Sequence, residues 1–503
     1  MARFLTFSLL CVLALCLAST PFWSVGSVDS EESEQRKFTL VFNVNNGGYI
    51  DVCGCKHKEV RQGSLTRRAS FLRQFRATGR ELLLVDAGSA FFAIGKRMKK
   101  EERAEAIRKA ELIVESYNRM GYQAMSVGPF DLAAGVEVTK DLEKRAKFPF
   151  LSANLYDKNT GKRFFKPHTV INVGGVRVGL IGLTLSSMSR PFLAKVGSHV
   201  QARDPMKSLR TSIDELKKDE NAVDLVFVLA HTKEETNFKI AETFPDIHVL
   251  VDPYIQYGSH HTWIKDHEWV QRRAETVFLR GDGQGARLGL LDIEVFDANK
   301  PLVSTSDLYD LEDKIEADEA TSEDRTLLTK FQSFNPFDFT RLSLEPHHLT
   351  DPGIDQLVEQ WKKNIDLAGV AELEDQLPRK KDYLTVTGCQ KCHEKQHDWW
   401  LKTKHAHALA SLERTGDHQR FDCIGCHTLG YGEAFLNTTK VGQFANVQCE
   451  SCHGTNPQHA QDPKKHTYRK ITKQQCLQCH NKEQTLKDFR FSQARKQVAC
   501  PKS

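Results

Sequence analysis

Short apolar runs that end on a polar residue recur through the first 300 residues of the chain. Phe38-Thr-Leu-Val-Phe42 reads as a buried strand running into the turn-rich stretch Asn43–Gly48. Leu82-Leu-Leu-Val-Asp86 repeats the pattern with Asp at its tip, before Ala87-Gly88. Ala124–Val127, Phe150–Asn154, Leu225–Ala230 with His231 at its tip, and Leu288–Val295 continue it, and Thr169–Val173 pairs with Val176–Gly182 across a Gly174-Gly175 turn. From Lys99 to Met120 the period changes: Ala104, Ile107, Leu112, Ile113 and Tyr117 recur near helical spacing, and Gly121 suits the stop. Strands alternating with helices, with polar residues at strand tips, predict a layered α/β domain over 38–296. Residues 297–382 read as a connector: 297–345 are charged and weakly patterned. One amphipathic helix follows from Thr350-Asp-Pro-Gly353, with Ile354, Leu357, Val358, Trp361 and Ile365 on one face for core or domain docking. Glu372–Asp382 reads as a hinge before a last domain at 383–503.

Composition narrows little. The 70 basic and 65 acidic residues nearly balance, so charge points to no nucleic-acid stripe. The amino terminus, Met1-Ala2-Arg3 followed by an apolar run to about Ala18 and then Ser, Thr, Pro and Gly, predicts a signal peptide over 1–27 or a retained amino-terminal anchor. Leu13-Ala14-Leu15-Cys16 imperfectly resembles a lipoprotein cleavage site, with bulky Leu15 where a small residue is wanted.

The 13 cysteines change the picture. Eight fall in four Cys-x-x-Cys-His runs: Cys389/Cys392/His393, Cys423/Cys426/His427, Cys449/Cys452/His453 and Cys476/Cys479/His480. Each offers two thiols for thioether bonds to haem vinyl groups and a His for the proximal face of the iron. Zinc knuckles also use Cys-x-x-Cys, but zinc does not ask for a His directly after every second Cys. With 20 His in 503 residues, four such coincidences have a chance of about a few in a million. The expectation is four covalent c-type haems, which independently demands export.

From Tyr383 onward the chain resembles the cytochrome c-554 type tetrahaem family, through Trp399-Trp-Leu-Lys-Thr-Lys-His405-Ala-His-Ala408, Cys426-His-Thr-Leu-Gly430 and Gln448-Cys-Glu-Ser-Cys-His-Gly454. The resemblance implies a small, mostly helical or irregular multihaem domain, with haems forming much of its core. His405, in a Thr-x-His-Ala pattern, and His459, after Cys-His-Gly, match its distal ligands; His407, His397, His418 and His466 are further candidates. The family's tail usually ends in a His, where Arg495-Lys-Gln-Val-Ala-Cys500 has Cys500: a thiolate ligand, an intermolecular disulfide or a free thiol.

The earlier segment resembles the calcineurin-like metallophosphatase domain of periplasmic 5'-nucleotidases and sugar diphosphatases. The matching stretches are Arg67-Arg68-Ala69, Leu84-Val-Asp-Ala-Gly88, Phe148–Asn154, Gly174–Leu183, Val228-Leu-Ala-His231 and Leu288–Asp292. The departures matter more. The family's Asp-x-His falls at Asn43–Gly47 and holds neither residue; Gly-Asn-His-Glu becomes Gly128-Pro129-Phe130-Asp131; Gly-His-x-His becomes Val251-Asp252-Pro253-Tyr254. Asp86 and His231 survive alone, with His260-His261 nearby, and a two-metal site needs many convergent ligands. The hydrolytic chemistry is therefore expected to be lost. Cys53-Gly54-Cys55, where the old active-site loop should run, resembles a Cys-Gly-Cys subgroup of exported nucleotidase-like proteins. Lys56, His57 and Lys58 would lower these thiols' pKa and favour a redox or metal role; a structural Cys–Cys pair, or a ligand for another cofactor, remain the alternatives.

Together these readings predict a layered α/β metallophosphatase-like sandwich followed by a multihaem cytochrome domain. The expected protein is periplasmic or otherwise extracytoplasmic and transfers electrons with other cytochromes or membrane quinone-linked complexes. Its nucleotidase-like part is expected to serve as a docking or thiol/sulfur redox module; the alternative is a metal-dependent phosphoesterase with an appended cytochrome.

Overall fold

The computed structural model describes residues 36–51, 63–93, 98, 102–185, 196–218, 222–253, 268–281, 283–331, 334–345, 347–363, 381–468, 471–480 and 489–501. The leader, Cys53, Cys55, Tyr254 and His260-His261 lie outside them. All described residues belong to one unit, Arg36–Ser503.

The strands are β1 (Lys37–Asn43), β2 (Leu82–Asp86), β3 (Ala124–Ser126), β4 (Phe150–Leu151), β5 (Leu155–Asp157), β6 (His168–Val173), β7 (Val176–Thr184), β8 (Val200–Ala202), β9 (Leu225–His231), β10 (Val249–Asp252), β11 (Val270–Arg273), β12 (Thr276–Arg280), β13 (Arg287–Glu294), β14 (Leu302–Ser304) and β15 (Asn335–Ser343). They form a seven-stranded sheet, β14-β15-β13-β1-β2-β3-β4, a six-stranded sheet, β11-β12-β10-β9-β7-β6, and the small pair β5-β8. Their inner faces meet through Leu40, Phe42 and Val85 from the first sheet and Leu180, Phe227 and Leu229 from the second. Helices Leu65–Arg76, Arg103–Met120 and Val136–Arg145 cover the first sheet's outer face. Pro205–Leu216 and Glu234–Thr243 cover the second's. Central strands are therefore buried on both sides, which is why β1 and β7 read as apolar runs rather than alternating ones.

Local chemistry accounts for the boundaries. Gly121 adopts φ 74° and ends the Arg103–Met120 helix in the left-handed conformation. Gly174 and Gly175 both have positive φ, 52° and 71°, as a two-residue turn between right-twisted strands requires.

One expectation is corrected. Residues 297–345 are not a loose connector: β15 pairs antiparallel with β13 from Arg287↔Ser343 to Ile293↔Phe337, and β14 runs parallel to β15. An outer antiparallel strand needs only one apolar face, so Asp338 and Arg341 interrupt the pattern without breaking the strand. The amphipathic helix is Pro352–Lys363, with Ile354, Val358 and Trp361 buried in the core that also holds the Leu65–Arg76 and Arg103–Met120 helices.

Gly182 lies where β7 passes beside β4: a Cβ there would overlap the Leu151 carbonyl oxygen, and backbone cannot swing aside. Gly182→Ala is expected to destabilise the sandwich by about 2 kcal/mol or more. Urea denaturation reads this directly, and an unchanged midpoint would contradict the packing.

Candidate functional site

The C-terminal ends of the parallel strands of both sheets converge on one edge, where α/β sheets collect polar residues. Ser126 at the end of β3 donates to the Leu229 carbonyl at 3.1 Å, and Thr184 at the end of β7 donates to the Val127 carbonyl at 2.6 Å. Asp86, Asp131, His231 and Asp252 gather here, all buried.

The hydrogen-bonding capacity of Asp86, Asp131 and His231 is directed inward. Asp86 Oδ2 accepts from Asn43 Nδ2 at 2.5 Å and Tyr117 OH at 2.8 Å, and Oδ1 from the Gly88 N–H at 2.7 Å. Arg68, also buried, donates to the Tyr117 and Tyr122 hydroxyls at 3.1 and 3.0 Å and to Asn46 Oδ1 at 3.0 Å. Tyr122 donates to Asn43 Oδ1, and the two tyrosine rings stack at 3.9 Å. Asp131 accepts four backbone N–H groups: Ser89 and Gly128 on Oδ2, Ala90 and Phe91 on Oδ1, at 2.7–3.0 Å. His231 Nε2 lies 2.8 Å from Ser89 Oγ and 3.1 Å from Asn45 Oδ1. Ser89 and Asn45 both have positive φ, 58° and 50°. Asp252 accepts from Asn237 Nδ2 at 2.8 Å and faces Arg280 Nε at 3.4 Å.

Burial dominates the electrostatics. It pushes Asp86 up to about 6 against the donors that oppose it, and Asp131 and Asp252 up to about 7. Burial lowers His231 to about 3, so its imidazole is neutral. The two expected survivors of a metal site, Asp86 and His231, thus have separate sets of partners. Among the described residues no three His, Cys, Asp or Glu side chains converge as a metal site would need. Ser89 and Asn45, which face His231, were invisible in the sequence because neither ionises.

The second polar concentration is the Cys-x-x-Cys-His segment. Helix Thr385–Gln390 carries Cys389, Phe421–His427 and Cys449–His453 each hold a complete run, and Lys473–Leu477 carries Cys476. One helical turn puts the two Cys of a run on one face, with His next to it. The Cys389 thiol donates to Cys449, and Cys426 partners Cys479, so the first run lies against the third and the second against the fourth.

Cys392 departs from that arrangement. It is exposed, while the other seven Cys of the runs are half-buried. Its helix ends at Gln390, and Cys392 lies in the turn just beyond it.

The imidazoles are arranged in facing pairs. The His393 and His459 ring centres are 6.1 Å apart and inclined by only 14°; those of His405 and His480 are 6.1 Å apart at 49°. An ion bound between two imidazoles needs about 2 Å to each nitrogen and about 1 Å more to each ring centre, roughly 6 Å in all, so both pairs fit. His459 Nδ1 donates to the His466 carbonyl at 2.8 Å and His427 Nδ1 to the Ala408 carbonyl at 2.7 Å, leaving each Nε2 to a ligand. Burial lowers the pKa of His405, His453 and His480, favouring the neutral form that binds iron.

The other candidates are placed differently. His407 Nε2 donates to the Leu401 carbonyl at 3.0 Å, and His466 offers its carbonyl to His459. His397 Nδ1 is 3.5 Å from Asp398, and its ring lies beside Trp400. His418 has a buried Nδ1 with no hydrogen bond among the described residues. Cys500 is exposed, on a tail held by Gln396 Nε2 donating to the Pro501 carbonyl at 3.2 Å.

The Arg68–Tyr117–Asp86 chain makes a pH-dependent prediction. Folded Asp86 titrates above an unfolded Asp, so stability tied to its protonated form is full below about 4 and is lost as pH rises through about 6. The Tyr117 hydroxyl lessens that loss, so Tyr117→Phe is expected to cost about 1–3 kcal/mol, with the deficit larger at pH 8 than at pH 5. Urea midpoints at the two pH values measure it; equal deficits would contradict the chain.

Comparison with known proteins agrees with both parts. Residues 388–454, holding the first three Cys-x-x-Cys-His runs, match the family described as cytochrome c554 and c-prime. A stretch of 152 residues is 32% identical to the 5'-nucleotidase of Vibrio parahaemolyticus, covering 30% of this chain and 27% of that protein. This chain therefore spans about a quarter of that relative's length. Among solved structures, the 5'-nucleotidase precursor of Thermus thermophilus has a TM-score of 0.48 at 20% identity, over 67% of this chain and 60% of the other. A calcineurin-like phosphoesterase of Bacillus subtilis has a TM-score of 0.46 at 16% identity, over 66% and 98%. The chain is a fusion of an amino-terminal region homologous to 5'-nucleotidases with a carboxy-terminal segment of the cytochrome c554 family.

Proposed function

We propose that this protein is an extracytoplasmic tetrahaem c-type cytochrome whose task is electron transfer, with redox proteins as partners. The observation that carries the reading is the pair of facing imidazoles, each joining a His of a Cys-x-x-Cys-His run to a His from elsewhere in the chain. In this reading each Cys pair holds one haem by thioether bonds, and His393, His427, His453 and His480 bind from the proximal side. His459 is the distal partner of His393, and His405 of His480. Haem supplies one-electron storage when bound. The chain's own contribution is to orient imidazoles through carbonyls such as Ala408 and His466, to keep those of His405, His453 and His480 neutral by burial, and to bring the runs together in two pairs.

In this reading the nucleotidase-like region works as a docking or thiol/sulfur redox module rather than a hydrolase. The donors around Asp86, Asp131 and His231 support it, because every one would have to be displaced before a two-metal centre could form. Cys53 and Cys55 are the redox candidates. Asp51, two residues before Cys53 and so within about 7 Å of chain, is ion-paired with Lys362 at 3.2 Å.

Holoprotein is expected to carry four haems that survive denaturation. A pyridine haemochrome assay against protein mass tests this, and two or fewer would overturn it. Changing Cys449 and Cys452 to Ala is expected to remove one.

The phosphoesterase alternative draws on the nucleotidase homology, and turnover separates it. No phosphate release from nucleotides or nucleoside diphosphate sugars above background is expected, with or without manganese, zinc or calcium. Robust release that disappears in an Asp86→Ala, His231→Ala double variant would establish the hydrolase instead.

A further inference from the structure

The Pro352–Lys363 helix is packed into the nucleotidase-like core, and its last turn touches the haem-motif segment at one place. The Arg420 guanidinium lies 5.8 Å from the centre of the Trp361 ring, within cation–π range. Trp361 is 8% exposed, and its Nε1 is buried without an acceptor among the described residues, so the ring face carries its polar contact. Arg420 is fixed on its other side by Asp417 at 3.1 Å, and its carbonyl accepts the Cys423 and Ile424 N–H groups at 3.1 and 2.9 Å. Arg420 is thus the N-cap residue of the helix that presents Cys423, Cys426 and His427. Lys362, next to Trp361, has its ammonium held by Asp51 at 3.2 Å and Glu359 at 3.1 Å. Burial works against its charge, yet Asp51, Glu359 and also Asp417 keep its pKa above the ordinary value. Lys362 therefore sits in the field of a carboxylate six residues before Cys423.

We propose that Trp361 and Lys362 are positioning residues for the Cys423–Cys426–His427 site, seating its helix against the nucleotidase-like region and setting its reduction potential. This makes it the junction between the two parts of the protein. The inference rests on the electron-transfer reading and names the haem motif at which that reading joins the two regions. A cation near a haem favours the reduced state, which carries one more electron, and a carboxylate opposes it; partial burial weakens solvent screening of both. Among the described residues no cation–π contact joins this helix to the other three motifs, and Asp417, in whose field Lys362 sits, precedes only the second run.

The test is a spectroelectrochemical titration of full-length holoprotein, after its haem content has been counted. Lys362→Met is expected to move one of four Nernst components to lower potential and leave three in place. Asp417→Asn is expected to move the same component upward, and Lys362→Arg to leave it near its original value. A helix that merely braces the fold would move no component selectively or would move all alike, and either result overturns the inference. Identity is checked by His427→Met, which alters the spectrum of the haem on that run: if the shifted component is not the one so altered, the inference also fails. Should Lys362→Met not fold, Trp361→Phe, which keeps an aromatic face, must retain the original component and Trp361→Leu must shift it. A count below four haems would strike the electron-transfer reading itself, whereas four haems with unmoved components strike only this proposal.

Discussion

The nearly parallel rings of His393 and His459 stand 6.1 Å apart, a separation that would admit an ion between facing nitrogens, and the proposed haem binding in the last 120 residues rests on it. Helices of five to seven residues, such as Cys449–His453 and Phe421–His427, are far below the length at which a helix sustains itself in water. The apolar side chains buried around them are few, with Ile424, Ala434, Phe435 and Val441 forming the cluster. Such a segment cannot cover the entropy of ordering its backbone from apolar burial alone. In the proposed reading, covalently held porphyrins would supply the missing core and the function together.

The amino-terminal region solves the opposite problem. Its two sheets bury an ample apolar core, and its difficulty lies at the edge where polar strand ends meet without water. Asp86, Arg68 and two tyrosines form one hydrogen-bonded chain, while Asp131 takes four backbone amides. Buried ionisable groups on this scale persist only when paired. Gly128 keeps that edge tight, since a Cβ there would overlap Ser89 Oγ and lie 2.7 Å from His231 Cδ2. The strand tips are mutual partners, which is what the proposed docking or redox role leans on.

What could be read from sequence follows the physics of each element. Phe38–Phe42, Leu82–Asp86, Leu225–Ala230 and the Gly174-Gly175 hairpin stood out because burial on both faces makes strands continuously apolar, and because two glycines in sequence mark a tight turn. β15 did not, since Arg341 interrupts the face that carries Phe337 and Phe339, and Asp338 and Thr340 lie exposed on the other. Short strands β11 and β14 carry too few residues to show a period. In the site, the Cys-x-x-Cys-His runs were legible as covalent chemistry with fixed spacing, and His405 and His459 through their motif context. The exposure of Cys392 was not legible, because four runs of identical spacing carry no record of what packs around each. The roles of Ser89, Asn45, Tyr117 and Tyr122 were hidden too, because hydrogen bonds between residues 31 to 186 positions apart leave no local pattern. Trp361 read as a docking residue, but its partner Arg420 emerged only from the folded chain.

Of the four Cys-x-x-Cys-His histidines, His393 and His480 each face another imidazole, while His427 and His453 do not share that arrangement among the described residues. Near-infrared magnetic circular dichroism of the oxidised holoprotein reads axial ligand pairs directly. The account predicts two bis-imidazole low-spin haems per chain, one lost in His459→Ala and the other in His405→Ala. Absence of any bis-imidazole signal, or a signal unchanged by both substitutions, would contradict it.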